Sequence, residues 1–313
     1  MRGLIINADG YGLSPGITRA IEECVRFGTV RSISVNVNGR HADRLPGLVH
    51  SVPELSVGCH INPVVGYPVL PAARVSTLLN HDGQFFYQDF VNRFVTGRIR
   101  LSELHAEIIA QVEKTRELSG RAFSHVDFHM GLHRLPRLYA LFLDVAEKIG
   151  AGRIRTHSYR VGLEYENPRR CDLRFRLGRP SRVIKLICNH FLRRKALRRG
   201  LAMPDRRVEI MAMVSGNEGI TVENYLRMLR NLPTGVSEFV AHPGYLDEDL
   251  ARWSTYLEPR VLEHQVLMSG ELRAALHHSD VRLMGYRDIP ARPKPVYQFL
   301  ATAGGQSIFA HRR

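Results

Sequence analysis

The 313-residue sequence predicts an α/β fold in which mostly parallel strands curl into a barrel with its active site at the strand carboxyl ends, and two observations predict it. Short apolar runs of strand length alternate with segments of helical period, which is the signature of βα units. At least four of those runs begin apolar and end in a chemically capable side chain: Asp9, His60, His129 and His242. In parallel α/β barrels the strand carboxyl ends meet at one face, so such a fold would gather the four into one pocket.

The first run is GLIINAD, Gly3 to Asp9. Ser14, Pro15 and Gly28 then bracket Ile17, Ala20, Ile21, Cys24 and Val25, supplying the N-cap, first-turn and C′ signals of one amphipathic helix. Further strands are expected at Ser32 to Asn38, Leu55 to Asn62, Phe123 to His129, Arg153 to His157, Ser237 to His242 and Val281 to Tyr286. Helices at Ser102 to Leu118 and Pro136 to Ile149 lie between them.

Composition narrows the class. With 24% charged and 44% hydrophobic residues the chain is neither disordered nor fibrous, and four widely spaced cysteines make no disulfide framework. The opening apolar run is too short for a signal peptide, and no run of 18 apolar residues spans a bilayer, so a cytoplasmic location is expected.

The formal net charge of +14 is concentrated in one place. Arg169 to Gly200 holds twelve Lys/Arg against one acid, Asp172, a net of +11 that leaves only +3 elsewhere. Pro180, Ser181 and Gly200 bracket a helix there in which Val183, Ile184, Ile187 and Phe191 share a face. A basic amphipathic helix suits an anionic membrane surface, each basic residue contributing about 1 kcal/mol; a solvated helix packed by its apolar face is the plainer alternative. Nucleic acid is not an expected partner, because the segment has little aromatic interleaving and no accompanying motif.

The densest chemistry is SHVDFHMGLHRLP, Ser124 to Pro136. On a strand, period two puts His125, Asp127 and His129 on one face, as a divalent metal site requires, although His125 could equally lie one layer below. His60, in GCHIN, is the partner ligand expected from a neighbouring strand end.

Together NADGYGLSPGITRAI, the His60 to Pro68 segment, HVDFHMGLHRLP, VAHPGYLD and the closing VRLMGYRDI resemble, in order and spacing, the YdjC-like carbohydrate deacetylases, also called the chitooligosaccharide and hopanoid-associated deacetylase group. The resemblance implies a single deacetylase domain over residues 1–313, a distorted TIM-like barrel with a basic insert at about 165–207. It implies removal of the acetyl group from an N-acetylated amino sugar with a divalent metal, Zn or Mg. It places the general base on Asp9, metal ligands on His60 and His129, the proton donor or orienting group on His242 and a substrate- or oxyanion-holding group on Arg155. The family's second Asp, normally a ligand, is Gly10 here, and the central His of its His-rich run is Gly131. Either Asp9 ligates and another group is the base, or Asp127, water or substrate completes the shell, or the chain only binds a sugar lipid; a phosphoesterase on the same barrel is a further alternative. The surviving Asp9, His60, His129 and His242 favour hydrolysis. The basic insert, followed by Gly200 to Asp205, resembles relatives acting on lipid-linked sugars, which implies a lipid-linked N-acetylhexosamine at the inner membrane face. A homodimer is a further expected partner.

Overall fold

The structure, a computed structural model, describes residues 1–120, 123–211 and 219–292. Eight strands form one sheet: β1 (Arg2–Tyr11), β2 (Ser32–Val35), β3 (Ser56–Ile61), β4 (His125–Phe128), β5 (Tyr159–Val161), β6 (Arg206–Glu209), β7 (Gly235–Ala241) and β8 (Val281–Met284). Their order is β4-β3-β2-β1-β7-β6-β5, with β8 paired to the first half of β1, and every one of these pairings is parallel. Isolated parallel bridges from Val126 to Ile154 and from Arg153 to Ala202 carry contacts past β4. The result is a curled, TIM-like half-barrel, as expected.

Around it lie α1 (Pro15–Arg26), α2 (Leu45–Ser51), α3 (Phe90–Val95), α4 (Leu101–Ser119), α5 (Pro136–Lys148), α6 (Pro168–Leu177), α7 (Pro180–Arg198), α8 (Val222–Arg230), α9 (Glu248–Trp253), α10 (Glu258–Met268) and α11 (Gly270–His278). The β1 strand is buried from Gly3 onward, which is why its Leu4, Ile5 and Ile6 are all apolar. Ser14 caps α1 by accepting from the Ile17 amide, and Pro15 opens it. In α4, buried Glu107 and Gln111 face inward: Glu107 accepts from the Val69 and Leu70 amides and Gln111 from that of Asn62, fixing the loop after β3 beside the site.

Two expectations need correction. Arg153 to His157 makes only isolated bridges, and the regular strands in this region are β5 and β6. Both are short and charged, RRVE in β6, so neither carries an apolar run. The basic segment is two helices rather than one, α6 preceding the expected α7. The α7 helix packs, but not by the face expected. Of the four apolar residues on one face of α7, Ile184, Ile187 and Phe191 are exposed, while the packed side is formed by Asn189, Ala196, Leu192 and Leu197.

Among the described residues no helix is long and apolar enough to cross a membrane.

Candidate active site

The β1, β3, β4 and β7 strands run parallel, and Asp9, His60, His129 and His242 stand at or just beyond their carboxyl ends. All four line one cavity of about 450 Å³, together with Arg155 from the segment after the Ile154 bridge. The volume is in the range of small-molecule sites.

Asp9 precedes an irregularity: it pairs with Ser34, while Tyr11 pairs with Val35, so Gly10 is an extra residue in β1. Its φ of +100° is the backbone of a glycine bulge, a device that re-aims a strand-end side chain. The Asp9 carboxylate accepts from both Nη atoms of Arg155, each at 2.7 Å, and from Asn7 Nδ2 at 2.7 Å. Burial pushes its pKa up, yet Arg155 and then His60 pull it well below the usual carboxylate range.

Asp127 is fully buried behind His60. Its Oδ1 lies 2.7 Å from His60 Nδ1, and its Oδ2 accepts from Ser34 Oγ at 2.9 Å and pairs with Arg155 Nη2 at 2.7 Å. With Nδ1 of His60 occupied by a carboxylate, Nε2 is turned toward the cavity, the arrangement that orients metal-binding histidines. Burial opposes the charged form of His60, but Asp127 and Asp9 outweigh it and raise its pKa.

His60 Nε2 lies 3.2 Å from His129 Nδ1 and 4.0 Å from Asp9 Oδ2. Two nitrogens bound tetrahedrally to zinc at about 2.0–2.1 Å lie about 3.3 Å apart, so the two rings fit a shared ion. Asp9, His60 and Asp127 each bring a ligating atom within 4.8 Å of the others. These donors, one imidazole and two carboxylates with the His129 ring beside His60, fit a divalent ion, and imidazole favours a transition ion over magnesium. Among the described residues Arg155 is the guanidinium that pairs with Asp9, Asp127 and Glu238.

Arg155 Nε donates to Glu238 at 2.9 Å, which leaves the guanidinium engaged by three carboxylates. Burial works against its charge, but Asp127, Asp9 and Glu238 raise its pKa well above the ordinary value. Burial raises the pKa of Glu238. His129 is pushed down to about 3 by burial and by the neighbouring His60.

His242 faces the cavity half-buried. Its Nδ1 has no hydrogen-bond partner among the described residues and lies 4.0 Å from Oε1 of Glu263. The Glu263 carboxyl accepts from the His242 amide and from Tyr256 Oη, both at 2.6 Å. Burial moves the His242 pKa down to about 3 and that of Glu263 up to about 7.

His125 does lie one layer below. It contacts Ser34 and Ser124 and stacks on Tyr286, with ring centres 3.7 Å apart.

Sequence reasoning missed Asn7, Ser34, Glu238, Tyr256 and Glu263. A signal existed for two of them. Asn7 stands two residues before Asp9 on the same strand face, and Glu238 interrupts an apolar strand, where a buried acid requires a partner.

A family model described as YdjC-like protein matches residues 3–278. A carbohydrate deacetylase of Mus musculus is 30% identical over 314 aligned residues, covering 92% of this chain and 95% of its own length. A carbohydrate deacetylase of Listeria monocytogenes serotype 4a is 27% identical over 288 residues, 91% of this chain and 99% of its own. Among solved structures, an Enterococcus faecalis protein described as a candidate cellobiose-phosphate cleavage protein superposes with a TM-score of 0.69 at 24% identity, over 91% of this chain and 97% of its own. At that identity the likeness speaks for the fold alone.

Proposed function

The chain belongs to the YdjC-like protein family, and from that premise we propose that it is a metal-dependent hydrolase removing the acetyl group from an N-acetylhexosamine. The observation that carries the reading is the convergence of Asp9, His60 and His129 at one end of a parallel sheet, with His60 Nε2 3.2 Å from His129 Nδ1. The names of the relatives, carbohydrate deacetylases, supply the reaction class.

In this reading Asp9, His60 and His129 hold the ion, and Asp127 orients His60. With Gly10 lacking a side chain, Asp9 takes the ligand place of the absent second carboxylate. Both of its oxygens are already engaged by Arg155, which suits it to ligation better than to accepting a proton. A divalent ion held by Asp9, His60 and His129 would supply polarisation of the acetyl carbonyl and easier ionisation of water. His242, facing the cavity with its ring neutral, takes the proton of the attacking water and returns it to the departing amine nitrogen. Glu263 and Tyr256 fix the His242 backbone and ring environment. Arg155 positions Asp9 and Asp127 rather than touching the sugar.

The finer reading is a lipid-linked N-acetylhexosamine at the inner membrane face. Leu173, Leu177, Ile184, Ile187 and Phe191 on α6 and α7 are all more than half exposed, and Arg169, Arg170, Arg174, Arg179, Arg194, Lys195 and Arg198 on the same segment are exposed around them. Exposed apolar side chains interspersed with arginine on two helices suit the surface of an anionic membrane.

Acetate release from N-acetylglucosamine oligosaccharides, lost with a chelator and restored by zinc, tests the activity; phosphate release from a phosphoester panel without acetate would replace it by a phosphoesterase. Flotation with anionic and neutral vesicles tests the membrane reading, and absence of binding to anionic vesicles at low salt removes it.

A further inference from the structure

Four apolar side chains line the cavity without a part in the hydrolytic cluster: Leu13, Val65, Tyr87 and Met130. Leu13 lies in the turn after β1, its amide donating to the Gly10 carbonyl at 3.0 Å. Val65 belongs to the loop after β3, where its amide donates to Asn62 Oδ1 at 3.0 Å and its carbonyl accepts from Asn38 Nδ2 at 2.8 Å. The Phe85 amide donates to the Gly66 carbonyl at 3.0 Å, which lays the segment leading to Tyr87 against that loop. Met130 directly follows His129. The apolar lining thus comes from the loops after β1, β3 and β4, the strands whose ends carry Asp9, His60 and His129. Much of the polar lining comes from elsewhere: His157 follows the Ile154 bridge, and Arg207 and Glu209 lie on β6. Arg134 joins it where Gly131 leaves room, since a side-chain carbon on Gly131 would fall 2.5 Å from Arg134 Nη2.

Met130 is the one non-glycine residue with a positive φ, +55°, among the described residues, and it is 55% exposed. Glycine would hold that backbone without strain, and a side chain so open to solvent adds little to the core. Neither the turn nor the packing accounts for a methionine there. Tyr87, also partly exposed, lines the same cavity. Large apolar side chains left open at the edge of a cavity are surface that a ligand can cover.

We propose that Leu13, Val65, Tyr87 and Met130 form an acyl pocket that takes groups longer than acetyl, so that the chain hydrolyses N-propionyl and N-butyryl amino sugars as well as the N-acetyl form. His242 stands at the end of β7, across β1 from β3 and β4. An amide with its carbonyl at Asp9, His60 and His129 and its nitrogen toward His242 directs its acyl chain away from β7, toward the loops after β3 and β4. One water breaks the C–N bond: its oxygen stays on the acyl carbon as carboxylate, and its two protons leave on the nitrogen as ammonium. The apolar lining excludes water around the chain, while His157, Arg207 and Glu209 offer hydrogen bonds to sugar hydroxyls. The proposal rests on the reading of the cluster as an amide-hydrolysing centre.

The test compares N-formyl, N-acetyl, N-propionyl and N-butyryl glucosamine with the zinc-loaded full chain, by calorimetric titration and by the carboxylate released. Affinity is expected to rise about fourfold for each methylene buried, so that the butyryl form binds about tenfold or more tighter than the acetyl form. In Tyr87→Ala and Met130→Gly that butyryl-to-acetyl ratio should fall about threefold or more. Both substitutions are at partly open positions, and the second relieves the backbone, so both variants should fold. A butyryl form bound and cleaved no better than the acetyl form, or a ratio surviving both substitutions, overturns the pocket, while acetate release then leaves the deacetylase reading standing. Chain-length-dependent affinity lost in the variants, with no carboxylate released from any amide, supports the pocket and removes the hydrolase reading. Neither binding nor release with any of the four overturns both.

Discussion

Asp127 Oδ1 lies 2.7 Å from Nδ1 of His60, two residues that are paired across β3 and β4 and 67 positions apart in the chain. The contact fixes which imidazole nitrogen of His60 faces the cavity, and Arg155 and Ser34 hold the carboxylate from behind. In the proposed reading Asp127 orients His60 as a ligand.

Replacing Asp127 by Asn should therefore leave the fold in place and weaken the ion. Loss of a carboxylate behind a ligating histidine typically lowers metal affinity about 10–100-fold. Zinc affinity measured against a competing chelator checks this, and an unchanged affinity would count against His60 as a ligand.

Asp9→Asn and His242→Asn should separate two roles. Turnover is expected to fall about a hundredfold or more in each. Metal content measured by elemental analysis should drop in Asp9→Asn and stay at the parent level in His242→Asn. Equal metal loss in both would place His242 among the ligands.

Gly10→Asp would restore the family's second carboxylate, but on a backbone with φ of +100°. The strain should cost about 1–3 kcal/mol in urea unfolding, and metal affinity should show no gain. A tighter site of undiminished stability would mean that the bulge relaxes readily.

Glu263 gives a pH signature. Its folded pKa, pushed up to about 7 by burial, lies above the ordinary value of 4.5, so the native state favours the protonated carboxyl. That stabilisation is present below about pH 4.5 and is lost as the pH rises through 7, amounting to about 3 kcal/mol at most. Chemical unfolding of the parent and Glu263→Gln between pH 5 and 8 should show the parent losing stability relative to the variant as pH rises. A constant difference would mean that the carboxyl is ionised throughout.

The strand-end quartet was legible in the sequence because period and direction are local properties. An apolar run ending in Asp9, His60, His129 or His242 reports both the strand and the end at which its polar residue falls, and parallel pairing brings those ends together. The β5 and β6 strands were not legible, because Arg206, Arg207 and Glu209 supply no apolar run. The α6 helix was hidden by the same arginine density that marked the segment as an insert.

What the sequence by itself determined is the parallel α/β architecture, the residues that reach its active face and the concentration of charge in one insert. Only the tertiary structure decided how those residues are used: Arg155 became the partner of Asp9, Asp127 and Glu238, Glu263 came to underlie His242, and Gly131 made room for Arg134. The physical reason is range. Strand and helix periods are set by neighbours a few residues apart, whereas ion pairing and the volume left by a missing side chain depend on distances through space between segments far apart in the chain.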